Sequence, residues 1–131
     1  MNSKGASVHR LVKGREARQT LKFLFIHQNY PGQYREILPR LSAGGQHRIG
    51  FLTQRENFPE PDNVSVVRYK PEKFAVADSH PYTSWFQKCN ANGIAVMKAC
   101  LMAARQGEKP DVVIGHAGWG ELLFVKHVWP D

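Results

Sequence analysis

Three observations predict an α/β fold, a three-layer sandwich around a mostly parallel sheet. Short apolar runs rich in branched and aromatic residues recur at 21–27, 47–53, 64–69 and 111–115, as suits strands covered on both faces. Between and after them lie segments with apolar residues every three or four positions, the spacing of one helical face. The resulting order, β-α-β-β-α-β-α, is that of parallel strands joined by crossovers.

Each element follows from local chemistry. Leu21 to His27 (LKFLFIH) is the first strand, and Asn29-Tyr30-Pro31-Gly32 is a turn signal. Tyr34, Ile37, Leu38 and Leu41 mark a helix face, with Pro39 expected to kink that helix and Gly44-Gly45 to stop it. His47 to Thr53 and Val64 to Tyr69 are the second and third strands. Gln54 to Asn63, with two prolines and four charges, is the loop between them. Residues 71–83 contain Pro71 and Pro81 and are expected to be irregular. A long helix is predicted over Ser84–Gln106, its buried stripe running through Phe86, Cys89, Gly93, Met97, Cys100 and Ala104, with Gly107 and Pro110 ending it. Asp111 to Gly115 is the fourth strand, and a last helix spans about Trp119 to Val128.

A chain of 131 residues has room for one hydrophobic core. Its 42% hydrophobic content excludes a wholly disordered chain, and no apolar run approaches the roughly 20 residues of a membrane span. The formal charge of +7 is unevenly placed: residues 1–20 carry Lys4, Arg10, Lys13, Arg15 and Arg18 against Glu16 alone. They are expected to form a disordered basic leader, with the folded domain spanning 21–131. This leader has no aromatic residue to stack on bases, so nucleic acid is not the expected partner. Cys89 and Cys100, predicted on one helix, would lie about 16 Å apart, beyond a disulfide's reach. They are expected to be buried packing residues in a reducing, cytoplasmic compartment.

In parallel sheets ligands sit beyond the carboxyl ends of the strands, which singles out two loops. The first, after the first strand, offers the amides of Gln28, Asn29 and Gln33 around Gly32. They suit a polar or diphosphate ligand without a metal, or are simply turn residues. The second runs through Gly115, His116, Gly118, Trp119, Gly120 and Glu121. Its G-x-x-G-x-G spacing is not the dinucleotide fingerprint; the glycines either admit a ligand to the backbone or make a tight turn. His116 could donate to a sugar hydroxyl or developing phosphate charge, or could cap the strand end; His27 has the same two options. Trp119 beside Glu121 fits a carbohydrate site, and equally a helix start. His80-Pro81-Tyr82 lies on a loop that could reach the same rim. No metal site is expected, because the histidines are scattered and there is no thiol cluster.

These segments together resemble the amino-terminal, Rossmann-like domain of family 4 retaining glycosyltransferases of the GT-B type. In particular they resemble a bacterial subgroup that opens with H-Q-N-[YF]-P-G-Q-[YF]-R, matched by His27 to Arg35. The pattern continues in Gly45-Gln46-His47 (with one residue inserted), Phe51-Leu52-Thr53, Val67-Arg68-Tyr69 and His80-Pro81-Tyr82. It ends in P-D-V-[VI]-x-G-H-x-G-W-G-E, matched by Pro110 to Glu121. The resemblance implies transfer of a sugar from a nucleotide-sugar to an acceptor hydroxyl with retention, as in polysaccharide biosynthesis, without cofactor or metal. It places Gly32, with Gln28, Asn29 and Gln33, on the donor phosphate side and makes His116 the catalytic-site histidine. Gly118, Trp119, Glu121, His80 and Tyr82 then face the sugar or a carbohydrate or glycolipid acceptor, with any membrane contact peripheral to the inner membrane. It also implies a carboxyl-terminal donor domain that residues 1–131 lack, leaving the fourth strand at an apolar edge. This chain is therefore expected to be a truncated, acceptor-side half, inactive by itself. The competing expectation is a small Rossmann-like binding module without catalysis.

Overall fold

The computed structural model describes residues 19–73 and 80–131. Most of the basic leader and the middle of the irregular stretch 71–83 lie outside the described residues. Four strands form one sheet: β1 (Lys22–Ile26), β2 (Arg48–Thr53), β3 (Val64–Arg68) and β4 (Val112–Gly115). Their order is β3-β2-β1-β4 and all neighbours are parallel, a Rossmann-like α/β sheet with β4 at one edge.

Alternation along β1 builds the layers. Phe25 faces a cluster with Tyr34, Leu38, Ile49 and Phe51 on one side of the sheet. Ile26 faces Leu52, Tyr69, Ala95, Val96, Cys100, Val125 and Trp129 on the other. Phe25 and Ile26 are both fully buried, as expected for a strand covered on both faces. Phe25 stacks on Phe51 with ring centroids 6.1 Å apart, and removing each such ring from water contributes about 2–3 kcal/mol.

The helices depart from expectation in instructive ways. The first is a turn at Gly32–Tyr34 followed by α1 (Ile37–Ser42), not one kinked helix. Pro39 is the third residue of α1, where its missing N–H would have had no partner, so it neither kinks nor weakens the helix. Ile37 is 44% exposed, whereas Tyr34 and Leu38 are buried. Gly44 and Gly45, both with positive φ, stop the helix as expected.

The long helix α2 runs from Pro81 to Arg105, three residues earlier than expected. Pro81 is not a breaker here but the first helical residue, and His80 caps the turn by accepting the Tyr82 N–H. Because α2 begins beyond the end of the sheet, its first turns lack a core to face. Phe86, expected in the buried stripe, is 69% exposed, and burial starts in earnest at Ala91, Asn92 and Gly93. Cys89 is only half-buried, while Cys100 is buried.

The last helix is also shorter than expected. A tight turn, Ala117–Trp119, leads into Gly120 at φ 84°, and only Val125–Val128 (α3) is helical. A Cβ on Gly120 would collide with the backbone carbonyl of Cys89, and one on Gly93 would approach the Gly120 oxygen at 2.8 Å. The loop after β4 is thus seated directly on the α2 backbone.

Candidate functional site

Strand register brings both sequence-selected loops to one rim. Ile26 pairs with Leu52 on one side and Gly115 on the other, so His27, Thr53 and His116 emerge side by side. Thr53 in turn pairs with Arg68, which brings Gln54 and Tyr69 to the same end of the sheet.

In the first loop the backbone is strongly tied. The Gln28 carbonyl accepts from the Gln54 N–H at 3.1 Å and from the Thr53 hydroxyl at 2.9 Å. His27, 8% exposed, has Nδ1 3.0 Å from both the N–H and the carbonyl of Asn29, accepting from the N–H when that nitrogen is unprotonated, and packs edge-on to Tyr34. A Cβ on Gly32 would lie 2.7 Å from the His27 Nδ1, so this glycine is required by the imidazole beneath it. Gln33 turns its amide onto the Tyr34 hydroxyl at 3.2 Å, and Asn29 is exposed. Tyr30 closes the loop by stacking on Phe58 at 4.3 Å.

The second loop repeats the device with a different outcome. His116 Nδ1 accepts the Gly118 N–H at 3.1 Å, and a Cβ on Gly118 would meet the His116 ring at 2.8 Å. With Nδ1 acting as acceptor, the neutral ring carries its proton on Nε2, which is left for a ligand. His116 is only half-buried, and Trp119 tilts against it at 6.1 Å.

Trp119 and Glu121 do not flank the loop on one side, because the left-handed Gly120 between them turns the chain over. Trp119 stays on the rim. Glu121 is 1% exposed: its Oε1 accepts the Tyr69 hydroxyl at 3.3 Å, and its Oε2 has no hydrogen-bond partner among the described residues. Burial first, with the Glu121 carboxylate adding to it against a lowering by Gln54, pushes the Tyr69 hydroxyl well above the phenol range. Tyr69 therefore remains a donor at any physiological pH.

Residues that the sequence did not single out complete the arrangement. Gln54 Nε2 donates to the Tyr69 hydroxyl at 3.2 Å and to Asn92 Oδ1 at 3.3 Å, while Asn92 Nδ2 donates to the Trp119 carbonyl at 2.9 Å. Trp85 meets Trp119 edge-on at 5.4 Å, and the Lys88 ammonium lies 5.8 Å from the Trp85 ring. Trp85 and Lys88 lie one turn apart within the predicted helix, and that i, i+3 spacing is the signal that could have found them. His80 and Tyr82 stack on each other at 5.2 Å, and Tyr82 is 88% exposed; Trp85, rather than either of them, touches the second loop.

A cavity of about 680 Å³ opens here, between Gln54, Lys70, Trp85, Lys88 and Asn92. A larger one of about 850 Å³ lies along β1 to β3 and the carboxyl end of α2, away from the rim. Among the described residues no three His, Cys, Asp or Glu side chains gather as a metal site would require.

A parallel sheet whose strand-end loops carry histidines, indoles and amides defines a Rossmann-like domain with a polar rim. The family model described as "Glycosyl transferase family 4 group" matches residues 45–131, two thirds of the chain. The chain belongs to that family, and its function is glycosyltransferase-like. The match takes in the second loop and leaves the first, at 27–35, outside it. No curated protein and no solved structure gives a significant match. No helix among the described residues is long and apolar enough to cross a membrane.

Proposed function

We propose that this chain forms the acceptor-side half of a retaining glycosyltransferase that moves a sugar from a nucleotide-sugar to an acceptor hydroxyl. The observation that supports this most is His116. Its Nδ1 is occupied by the Gly118 N–H, so Nε2–H is presented at the sheet's rim beside the Trp119 indole. Such a pairing lets one side chain donate to a sugar hydroxyl while the other covers the apolar face of the ring. In this proposal Gly32 and the amides of Gln28, Asn29 and Gln33 lie toward the donor diphosphate. Glu121, buried behind the loop, acts by holding Tyr69 rather than by touching sugar. The proposed setting is the cytoplasm, with the acceptor a carbohydrate or glycolipid.

One rim of one sheet grips only one side of such a reaction. The 131 residues alone are therefore proposed to have no transferase activity, and the donor nucleotide to be held by a facing domain. Joined to such a donor domain, the enzyme should lose about tenfold or more in turnover with His116→Ala, while it still folds and unfolds cooperatively. Unaltered turnover would remove His116 from the site. Sugar transfer by the isolated 131-residue chain would overturn the need for a second domain.

A further inference from the structure

The cavity beside the rim carries a charge pattern that a neutral sugar does not need. Lys70, Lys73 and Lys88 all line it, together with a single carboxylate, Glu72. That carboxylate is already engaged: Lys98 holds Glu72 at 2.8 Å, and this contact lowers the Glu72 pKa. Lys98 lies outside the cavity lining and borders a small adjoining cleft with Lys70 and Glu72, so the one carboxylate of the cavity is paired by a lysine from outside it. The described lining is therefore net positive.

The rest of the lining suits a sugar ring. Trp85, 48% exposed, provides an aromatic wall, with the Lys88 ammonium beside its ring. The amides of Gln54 and Asn92 form a polar floor, locked together at 3.3 Å. From Trp85 the indole of Trp119 follows edge-on, and the imidazole of His116 then tilts against Trp119 at 6.1 Å. A ring stacked on Trp85 would thus reach toward His116 with one end and toward the lysines with the other. About 680 Å³ is enough for a ligand of this size.

We propose that this cavity binds an acceptor sugar carrying negative charge, either a phosphate ester or a carboxylate, with Lys70, Lys73 and Lys88 recognising the anion and Trp85 the ring. This specificity rests on the glycosyltransferase function proposed above. Ammonium groups pair with either anion through charge-assisted hydrogen bonds, stronger than the ones they can donate to the hydroxyls of a neutral acceptor.

The test is a titration of the 131-residue chain followed by NMR, reading the indole signals of Trp85 and Trp119. The probes are glucose 1-phosphate, glucuronic acid, glucose and inorganic phosphate at low salt. One or both charged sugars should bind about tenfold more tightly than glucose, an advantage that shrinks as salt screens the lysines. Preference between the two identifies phosphate or carboxylate as the recognised group. Lys70→Gln with Lys88→Gln should abolish the advantage while the chain still unfolds cooperatively. Equal binding of glucose and both charged sugars, or no saturable shift with any of them, overturns the inference. If glucose shifts Trp119 at least as strongly as the charged sugars do, the anionic specificity falls and the transferase proposal stands. If inorganic phosphate binds as tightly as glucose 1-phosphate and no sugar shifts Trp119, both fall, because the cavity then recognises anions and not sugars.

Discussion

The loops after β1 and β4 use one device for two purposes. In each, a histidine at the strand's end accepts the N–H two residues on, through Nδ1, and a glycine leaves space for the ring. His27 is sealed beneath its loop against Tyr34, whereas His116 stays half-exposed against Trp119. The difference lies in what surrounds each ring. The first loop is roofed by Tyr30 stacked on Phe58 and tied to the end of β2 through Gln28. The second is held from below by α2, at Gly93, Asn92 and Cys89, which leaves its upper side open. An identical local motif is thus an internal anchor at one strand end and a half-exposed group at its neighbour.

Glycine replacements break this comparison most strongly. Gly32→Ala places a methyl on a buried imidazole at φ 57°, and should cost about 3 kcal/mol in urea unfolding. Gly118→Ala meets a ring that can swing toward solvent, and should cost about 1 kcal/mol or less. Similar losses at both positions would mean that His116 is held as firmly as His27.

Histidine removal gives the next largest contrast. His27→Ala empties a buried site and leaves the Asn29 N–H without its partner, with an expected loss of about 2 kcal/mol. His116→Ala should remain within about 1 kcal/mol of the parent, so that its effects are read in binding and turnover. The two losses are measured by the same denaturant series.

The cysteines report on the same two environments with a smaller perturbation. Cys89, half-buried with its Sγ 4.0 Å from the Gly118 carbonyl, lies against the open loop. Cys100 is buried in the core, and burial pushes its thiol up to about 11. A disulfide reagent should label Cys89 in the folded chain and Cys100 only after unfolding. The raised thiol pKa also has a stability consequence. Below the ordinary thiol value of about 9 both states are protonated, and between there and about 11 the unfolded chain ionises first. Stability should therefore fall across that window, and Cys100→Ala should remove that part of the fall.

The smallest effect is expected far from the rim. Lys22, and then Arg48, hold the Glu108 carboxyl below its usual range at the opposite end of β1 and β2. A depressed carboxylate pKa stabilises the fold above the ordinary value and loses that contribution as pH falls through the folded one. Glu108→Gln should slightly flatten the decline in stability between pH 7 and pH 3, without moving His116 or Trp119 signals.

Much of this was legible in the residues alone. The four strands appear within a residue or so of their expected bounds, because apolar runs between turn signals are a local property of the chain. The sheet's parallel character followed from their order. The bounds of α1 and α2 depart from expectation for one shared reason: proline interrupts a helix's interior, but Pro39 and Pro81 each lie in the first turn of a helix that starts elsewhere. Phe86 satisfied the helical spacing of α2 yet is exposed, since periodicity cannot tell where the sheet beneath a helix ends. Glu121 followed Trp119 by two residues and was grouped with it, until the left-handed Gly120 sent the two to opposite sides.

The α/β class, the strand ends and the two loops that meet at the sheet's rim were thus readable from the residues alone. These depend on hydrophobic runs, turn chemistry and spacing, all of which act over a few residues. Only the tertiary structure decided which histidine is buried, that Glu121 supports Tyr69, and that Trp85, Lys88, Gln54 and Asn92 meet at one cavity. Those facts arise from strand register and from the seating of α2 on the loop after β4, which join residues far apart in the chain.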